Sequence, residues 1–204
     1  MASSVFFLAG CEIPCSSEWN NLDPVKPRPV ALPYPRHKIE SGEIRADGLI
    51  SINLSKDPRV HDSIPKENFG EILFLYFDDV PFESLARAGE RFKGPKVSDV
   101  KKSLAFAKRI GKTCQAEAPQ IAVHCQAGKS RSAAIALAIN ASMNPGHCEE
   151  TVAALLACDP EQQMCFNPRI IAIADELHQP HMGLDRALMK LCSPYRSWKR
   201  YWGF

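Results

Sequence analysis

The sequence predicts an α/β fold in which a central, mostly parallel sheet is flanked by helices. Short runs of β-branched and aliphatic residues alternate along the chain with longer helical segments, which is typical of strands joined by helical crossovers. The composition is also that of a globular domain, because 45% of the 204 residues are hydrophobic and 24% are charged.

The predicted elements follow an irregular arm at residues 1–37. This arm carries five prolines between Pro24 and Pro35, and each of them removes a backbone donor and disfavours a helix before it. Only a short edge strand, around Val30 to Leu32, is compatible with this composition.

Residues 38–178 contain the alternating pattern and form the predicted central domain. Strands are predicted at residues 49–54, 71–77 and 121–123. Helices are predicted at residues 98–110, 132–143, 149–158 and 168–178. Ser98 is the expected N-cap of the first helix, and Gly111 is expected to end it. The second helix is apolar on every side, which predicts that it is deeply buried.

Residues 179–204 differ in composition and form a predicted basic and aromatic tail. The tail carries five basic residues against one acidic residue. The simplest interpretation is a C-terminal helix that packs its aromatic rings and leaves its charges in solvent. The alternative is a surface that docks on anionic lipid, RNA or a phosphorylated partner, so membrane association is the less favoured prediction.

The overall charge and the N-terminus exclude other classes of protein. The formal net charge is +2, which is too small to favour nucleic acid as the main partner. No apolar run approaches the roughly 18 residues of a membrane span, and no basic segment precedes the short apolar run at the N-terminus. We therefore expect a cytoplasmic protein whose eight cysteines are mostly reduced and buried. None of them forms a Cys-x2-Cys pair, so no metal site is predicted.

The most informative segment is residues 121–132, where a short aliphatic strand ends in Cys125 and a buried helix follows. Residues 126–131, which we call the oxyanion loop, wrap at a helix N-terminus, where backbone N–H groups can converge on one anion. Gly128 permits the tight turn, and the planar guanidinium of Arg131 can bind two oxygens at once. The helix N-terminus, Arg131 and the Ser132 hydroxyl favour negative charge on the Cys125 sulfur. A tetrahedral oxyanion in this loop faces a sulfur nucleophile, in a phosphate-transfer site that needs no metal or cofactor.

One competing motif lies in the same loop. Gly128-Lys129-Ser130 matches the end of a nucleotide-binding P-loop, which also needs a glycine five positions before Gly128. Val123 occupies that position, so the sequence does not predict a nucleotide site.

The pattern His124-Cys125-x5-Arg131-Ser132 resembles the signature of the cysteine-dependent protein tyrosine and dual-specificity phosphatases. Weaker similarities at residues 50–54, 57–58, 77–80 and 167–169 resemble a compact bacterial branch of that superfamily, and the resemblance covers about residues 30 to 178. The resemblance implies a protein tyrosine phosphatase-like (dual-specificity phosphatase-like) fold and a phosphatase catalytic domain at residues 38–178.

The resemblance also implies a role for each residue of the motif. Cys125 attacks phosphorus and forms a cysteinyl-phosphate, while Arg131 and the loop amides hold the phosphoryl oxygens. Ser132 stabilises the thiolate, and His124 and Asn167 support the loop through hydrogen bonds. The residues implied to bind the substrate phosphate are Gln126, Ala127, Gly128, Lys129, Ser130 and Arg131.

The implied mechanism requires an acid that protonates the leaving oxygen, on a loop after an upstream strand. Asp79 is the preferred candidate, because strand alternation puts it on the same side as Phe77. Asp78 is the first alternative, and Asp99 and Glu83 remain open.

We therefore expect a phosphatase whose partner is a phosphotyrosine-containing protein or peptide, with phosphoserine and phosphothreonine as further substrates. The alternative enzyme is a phosphoinositide or inositol-phosphate phosphatase, which is supported by Lys129 in the oxyanion loop and by the basic tail. A non-catalytic phosphate-binding adaptor is the alternative from another class, and such a protein has no need of Asp79.

Overall fold

Four parallel strands form the central sheet. The computed structural model describes residues 30–54, 62–87, 90–114, 119–178 and 183–203. The strands of the sheet are β1 (Val30–Pro35), β2 (Ala46–Asn53), β3 (Phe69–Tyr76) and β6 (Gln120–Cys125), in the order β1-β6-β2-β3. Each neighbouring pair is parallel. A separate antiparallel hairpin joins β4 (Ser84–Arg87) to β5 (Glu90–Lys93). The predicted α/β class with a parallel sheet is confirmed.

Helices cover both faces of this sheet. The helices of the described ranges are α1 (Arg36–Glu40), α2 (Val97–Thr113), α3 (Arg131–Met143), α4 (Cys148–Ala157), α5 (Pro168–Leu177), α6 (Leu184–Leu191) and α7 (Ser193–Trp202). The larger core lies between one face of the sheet and α2 and α3, with α5 packed against both helices. A smaller cluster on the other face includes residues of α1 and of the segment before β3.

The α3 helix lies in the centre of the larger core. Ten of its thirteen residues are buried, as its apolar composition predicts. Its N-terminus follows directly after the end of β6. Because all four strands are parallel, the segments that follow them meet at this same edge of the sheet, and the oxyanion loop lies there.

The boundaries of α2 differ from the predictions. The helix begins before Ser98, because Asp99 accepts a hydrogen bond from the Lys96 N–H at 2.9 Å and so caps the first turn. It also continues through Gly111 to Thr113, since one glycine near a helix end costs only about 1 kcal/mol. The predicted N-cap at Ser98 and the predicted end at Gly111 are therefore wrong.

The first strand lies inside the segment predicted to be an irregular arm. It pairs with β6 along its whole length, so the edge strand anticipated around Val30 to Leu32 is present and extends to Pro35. Prolines at positions 33 and 35 fit there because an edge strand is paired on one side only. The predicted boundary at residue 37 thus falls after the first strand of the sheet, and residues 1–29 lie outside the described residues.

The C-terminal residues form two helices that pack on the larger core. Tyr195 is fully buried, and its hydroxyl donates to Asp185 at 2.6 Å. Lys199 also donates to Asp185, at 2.8 Å, and Arg196 donates to two carbonyls in the last turn of α6. Much of the positive charge of the tail is therefore engaged within the protein.

Six of the eight cysteines fall in the described ranges, and none of these six forms a disulfide. Cys11 and Cys15 lie outside those ranges. Within the part of the chain that the structure covers, every helix is too short or too polar to cross a membrane.

Candidate active site

Cys125 lies at the carboxyl end of β6, directly before the oxyanion loop. The strand sits between β1 and β2 and is buried along nearly its whole length. Cys125 is 2% exposed, and its Sγ lies 3.2 Å from the Oγ of Ser132 in the first turn of α3. The sulfur therefore lies beside a hydroxyl group at the N-terminal turn of a buried helix, an environment that can accommodate negative charge.

Arg131 is the first residue of α3, and its guanidinium is buried against the segment that follows β3. The residue is 4% exposed, and its Nη1 donates to the Phe77 carbonyl at 2.9 Å. Its Nε is buried and has no partner among the residues described. A buried donor without an acceptor is costly, so this edge of the guanidinium suits an anion that completes it. The Nε–Nη2 edge can hold two oxygens of a tetrahedral oxyanion.

Gly128 brings the oxyanion loop into close contact with the end of β1. Its φ is 78°, and a Cβ there would lie 2.6 Å from the backbone N of Pro35 and 2.8 Å from the carbonyl carbon of Tyr34. Glycine alone satisfies both the left-handed conformation and the close approach. The N–H of Arg36 also donates to the Gln126 carbonyl at 3.3 Å, so the end of β1 supports the loop from outside.

His124 belongs to a chain of polar groups that runs from the oxyanion loop to Arg36. Its Nε2 lies 2.8 Å from Ser51 Oγ, which accepts a hydrogen bond from Asn53 Nδ2 at 3.0 Å. Asn53 Oδ1 accepts in turn from Arg36 Nη2 at 3.2 Å. Burial, assisted by the charges of Arg36 and Arg131, lowers the pKa of His124 to about 4. A neutral imidazole near pH 7 suits the supporting role implied for this residue.

Asp79 is held beside the oxyanion loop by two donors. Its Oδ1 accepts from Ser130 Oγ and from Asn167 Nδ2, both at 2.8 Å. Asn167 is fully buried, and its own Oδ1 accepts from the N–H groups of Arg169 and Ile170, which caps α5. Both hydrogen bonds are made to Oδ1, and they hold the Asp79 side chain beside the oxyanion loop.

The other three carboxylates considered for the acid have structural partners elsewhere. Asp78 is 7% exposed, and its Oδ2 accepts from the Lys93 N–H at 2.7 Å, which ties the segment after β3 to β5. Asp99 caps α2. Glu83 has a side chain that is 66% exposed and pairs with an arginine of α5 at 3.7 Å. Of the four carboxylates, Asp79 is the one that bonds to the oxyanion loop in the described structure.

The remaining side chains of the oxyanion loop divide into two groups. Gly128 and Ser130 are buried, whereas Gln126, Ala127 and Lys129 are exposed. The Lys129 carbonyl accepts backbone hydrogen bonds from residues 165 and 166. No cluster of three or more His, Cys, Asp or Glu side chains suited to a metal ion occurs in the ranges that the structure describes.

Reasoning from the sequence missed the polar residues that support the loop from neighbouring strands. Ser51 and Asn53 left a weak signal, because they occupy alternate positions among the last six residues of β2, which are all buried and otherwise non-polar. Arg36 left none, because it lies in the proline-rich segment predicted to be irregular. No local sequence pattern indicates the hydrogen bond from Ser130 to Asp79, because the two residues are 51 positions apart.

Comparison with known proteins gives matches among solved structures. Neither a model of a protein family nor a curated protein matches the sequence. A mouse protein described as a dual specificity phosphatase, in complex with zinc tungstate, is 16% identical with a TM-score of 0.50, over 81% of this chain and 97% of that chain. A human tyrosine phosphatase-like serine/threonine/tyrosine-interacting protein is 15% identical with a TM-score of 0.50, over 72% of this chain and 90% of that chain. The chain has the protein tyrosine phosphatase-like fold of the superfamily that its motif resembles.

Proposed function

We propose that the protein is a phosphomonoester hydrolase that acts on phosphotyrosine-containing protein or peptide through a cysteinyl-phosphate intermediate. The observation that carries the proposal is the pair of Cys125 and Arg131 at the two ends of the loop. The sulfur is paired with the Ser132 hydroxyl, and the guanidinium has a buried Nε that no described residue contacts through a hydrogen bond. A nucleophile and a bidentate oxyanion donor are the two groups that direct attack on a phosphate ester requires.

In the first step, the Cys125 thiolate attacks phosphorus on the side opposite the ester oxygen. The S–P bond forms while the P–O bond to the leaving group breaks, and Asp79 transfers its proton to the leaving oxygen. Arg131 and the backbone N–H groups of the oxyanion loop bind the equatorial oxygens, where negative charge develops in the transition state. Ser130 and Asn167 keep Asp79 close to the loop during this step.

In the second step, water attacks the cysteinyl-phosphate. Asp79, now a carboxylate, takes a proton from the water molecule as its oxygen bonds to phosphorus. The S–P bond breaks, and its electron pair returns to the sulfur of Cys125. Ser132 Oγ, 3.2 Å from that sulfur, donates to the departing thiolate, and inorganic phosphate is released.

The distribution of charge supports a phosphopeptide over an inositol phosphate. The inositol alternative depends on Lys129 and on the basic tail. In the tail, Lys190 pairs with a glutamate of α4, Lys199 pairs with an aspartate of α6, and Arg196 donates to backbone carbonyls. Cations that already have partners add little attraction for a polyanionic headgroup, so these three of the five basic residues of the tail are weak arguments for that substrate.

The first test is hydrolysis of an aryl phosphate by the wild-type protein and by Cys125→Ser, Asp79→Asn and Asp99→Asn variants. We expect Cys125→Ser to remove turnover and Asp79→Asn to lower kcat by about 10²- to 10⁴-fold. Asp99→Asn makes the same chemical change at the cap of α2 and should retain turnover. Full activity of Asp79→Asn would exclude that residue as the acid. A wild-type protein that binds phosphate without turnover would instead support the adaptor.

The second test concerns the substrate class. Values of kcat/KM are measured for a phosphotyrosine peptide, a phosphoserine peptide of the same sequence and an inositol phosphate. The proposal expects the highest value for the phosphotyrosine peptide. A higher value for the inositol phosphate would replace the proposed substrate with the alternative one, and leave the phosphatase chemistry unchanged.

A further inference from the structure

Phe166 adopts a backbone conformation that its side chain disfavours. Its φ is 53°, in the left-handed region that glycine and asparagine occupy most readily. The residue is fully buried, and its ring meets that of Tyr195 edge to face with centroids 6.5 Å apart. A bulky residue in this region costs free energy and persists only where surrounding contacts hold it.

Those contacts join Phe166 and its two neighbours to the oxyanion loop. The Lys129 carbonyl accepts hydrogen bonds from Cys165 N at 3.0 Å and from Phe166 N at 3.4 Å. The Ser130 carbonyl accepts from Asn167 N at 3.3 Å. Three consecutive N–H groups therefore reach two adjacent carbonyls of the loop, and the left-handed residue in the middle makes this possible by turning the backbone sharply.

The direction of these carbonyls sets the direction of the neighbouring amides. In a planar trans peptide, the C=O of one residue and the N–H of the next point in opposite directions. The Lys129 carbonyl points at the 165–167 segment, so the N–H of Ser130 points away from it. The Ser130 carbonyl accepts from Ala134 N at 2.9 Å as well as from Asn167 N at 3.3 Å, so the first turn of α3 and the segment together direct the N–H of Arg131. These are two of the loop amides that the proposed mechanism needs for the phosphoryl oxygens.

The same segment also reaches the candidate acid. Asn167 Nδ2 donates to Asp79 Oδ1 at 2.8 Å and to the Val80 carbonyl at 3.3 Å. Ser130, whose carbonyl is bound by Asn167 N, donates its hydroxyl to the same Oδ1 of Asp79. A single short segment therefore contacts both the oxyanion loop and the acid.

We propose that residues 165–167 are a positioning segment, in which the left-handed backbone of Phe166 aims the Ser130 and Arg131 amides at the substrate's phosphoryl oxygens. This inference rests on the proposed function, because it assigns those amides to a phosphoryl group. The segment does not touch the substrate. It acts through the two loop carbonyls that it binds.

The test uses two isomeric replacements in the full-length protein. Phe166→Leu and Phe166→Ile both remove the ring that contacts Tyr195, and they have the same side-chain composition. Isoleucine has a second branch on Cβ, which makes it much less tolerant of a positive φ than leucine. We expect the isoleucine variant to bind inorganic phosphate at least about tenfold more weakly than the leucine variant, as measured by isothermal titration calorimetry.

Thermal unfolding of both variants is the control for a merely structural effect. Loss of the ring lowers Tm in both, whereas the difference in phosphate affinity follows from the backbone alone. Equal phosphate affinities in two folded variants would overturn the inference. If Phe166→Ile does not fold, Phe166→Gly and Phe166→Ala replace the pair, because glycine accepts a positive φ and alanine resists it. The glycine variant must then bind phosphate more tightly than the alanine variant, and equal binding would again overturn the inference.

Calorimetry does not depend on turnover, so the two proposals can fail separately. A wild-type protein that binds inorganic phosphate but hydrolyses no ester contradicts the proposed hydrolase alone. A wild-type protein that hydrolyses esters, with isomeric variants that bind phosphate equally, contradicts the positioning role alone.

Discussion

Replacing Arg131 with lysine tests the geometry of the guanidinium while keeping its charge. In the structure, Nη1 is already used by the Phe77 carbonyl at 2.9 Å, and Nε has no partner among the described atoms. The Nε and Nη2 donors together offer two charge-assisted hydrogen bonds to the phosphoryl group. A lysine ammonium is a single point charge and cannot bind Phe77 and both oxygens in the same fixed plane.

The expected magnitude follows from the bonds that lysine loses. One charge-assisted hydrogen bond contributes about 1.5–3 kcal/mol, and the lysine variant keeps at most one of the two to the transition state. With the loss of bidentate orientation, we expect a cost of about 3 kcal/mol, which corresponds to roughly a 10²-fold lower kcat/KM. The change in charge is zero, so the effect reports geometry.

The assay is kcat/KM for an aryl phosphate, with Arg109→Lys as the matched control. Arg109 pairs with Glu71 at 2.8 Å on an exposed surface, where the same substitution should change activity little. Thermal unfolding establishes that the Arg131→Lys variant is folded. A folded variant with kcat/KM within about threefold of wild type would refute the reasoning, because the two-donor geometry of the guanidinium could not then contribute about 3 kcal/mol to transition-state binding.

Three further predictions concern the same region. Gly128→Ala should lower both phosphate affinity and kcat/KM by about tenfold or more, because its Cβ would lie 2.6 Å from the backbone of β1. Gly146→Ala has a comparable φ of 87° with nothing within 4 Å, and it should lower stability without that loss of binding. Burial lowers the pKa of His124 to about 4, so its neutral form stabilises the fold above the unfolded pKa near 6.5, and that stability declines as the pH falls towards 4. In urea unfolding, the free energy of unfolding should fall by about 2 kcal/mol between about pH 7.5 and about pH 5. An equal fall in a His124→Asn variant would show that His124 does not cause it. Burial next to Asp79 raises the pKa of Cys165 to about 11, so iodoacetamide should alkylate this thiol slowly at about pH 8. The rate is followed by mass spectrometry, and alkylation as fast as that of a free cysteine would contradict the prediction.

Most of the sheet and the oxyanion loop could be predicted because their signals are local. The aliphatic run that ends in Cys125 indicates a buried strand, and the apolar composition of α3 indicates a buried helix, so each element follows from its own residues. The hairpin of β4 and β5 was missed, because short polar strands carry little periodicity. The first strand was underestimated because prolines argue against a strand until its position at the edge of the sheet is known.

The choice between Asp78 and Asp79 as the candidate acid shows the limit of local sequence patterns. Alternation along β3 already favoured Asp79 over Asp78. Asp78 accepts a hydrogen bond from the Lys93 N–H at 2.7 Å. Lys93 belongs to a hairpin that the sequence did not predict, so this structural role of Asp78 could not be anticipated. The left-handed conformation of Phe166 could not be predicted at all, because an isolated phenylalanine disfavours it.

The sequence alone was sufficient to bring Cys125, Gly128 and Arg131 together, because these residues lie in one short segment whose backbone turn determines which of them are neighbours. Only the tertiary structure decided what holds that loop and Asp79 in place. Asp79 meets Ser130 and Asn167 across 51 and 88 residues of chain, and the N–H of Arg36 at the start of α1 donates to the Gln126 carbonyl of the loop. Contacts between residues so far apart depend on how the strands and helices pack, and no local spacing encodes them.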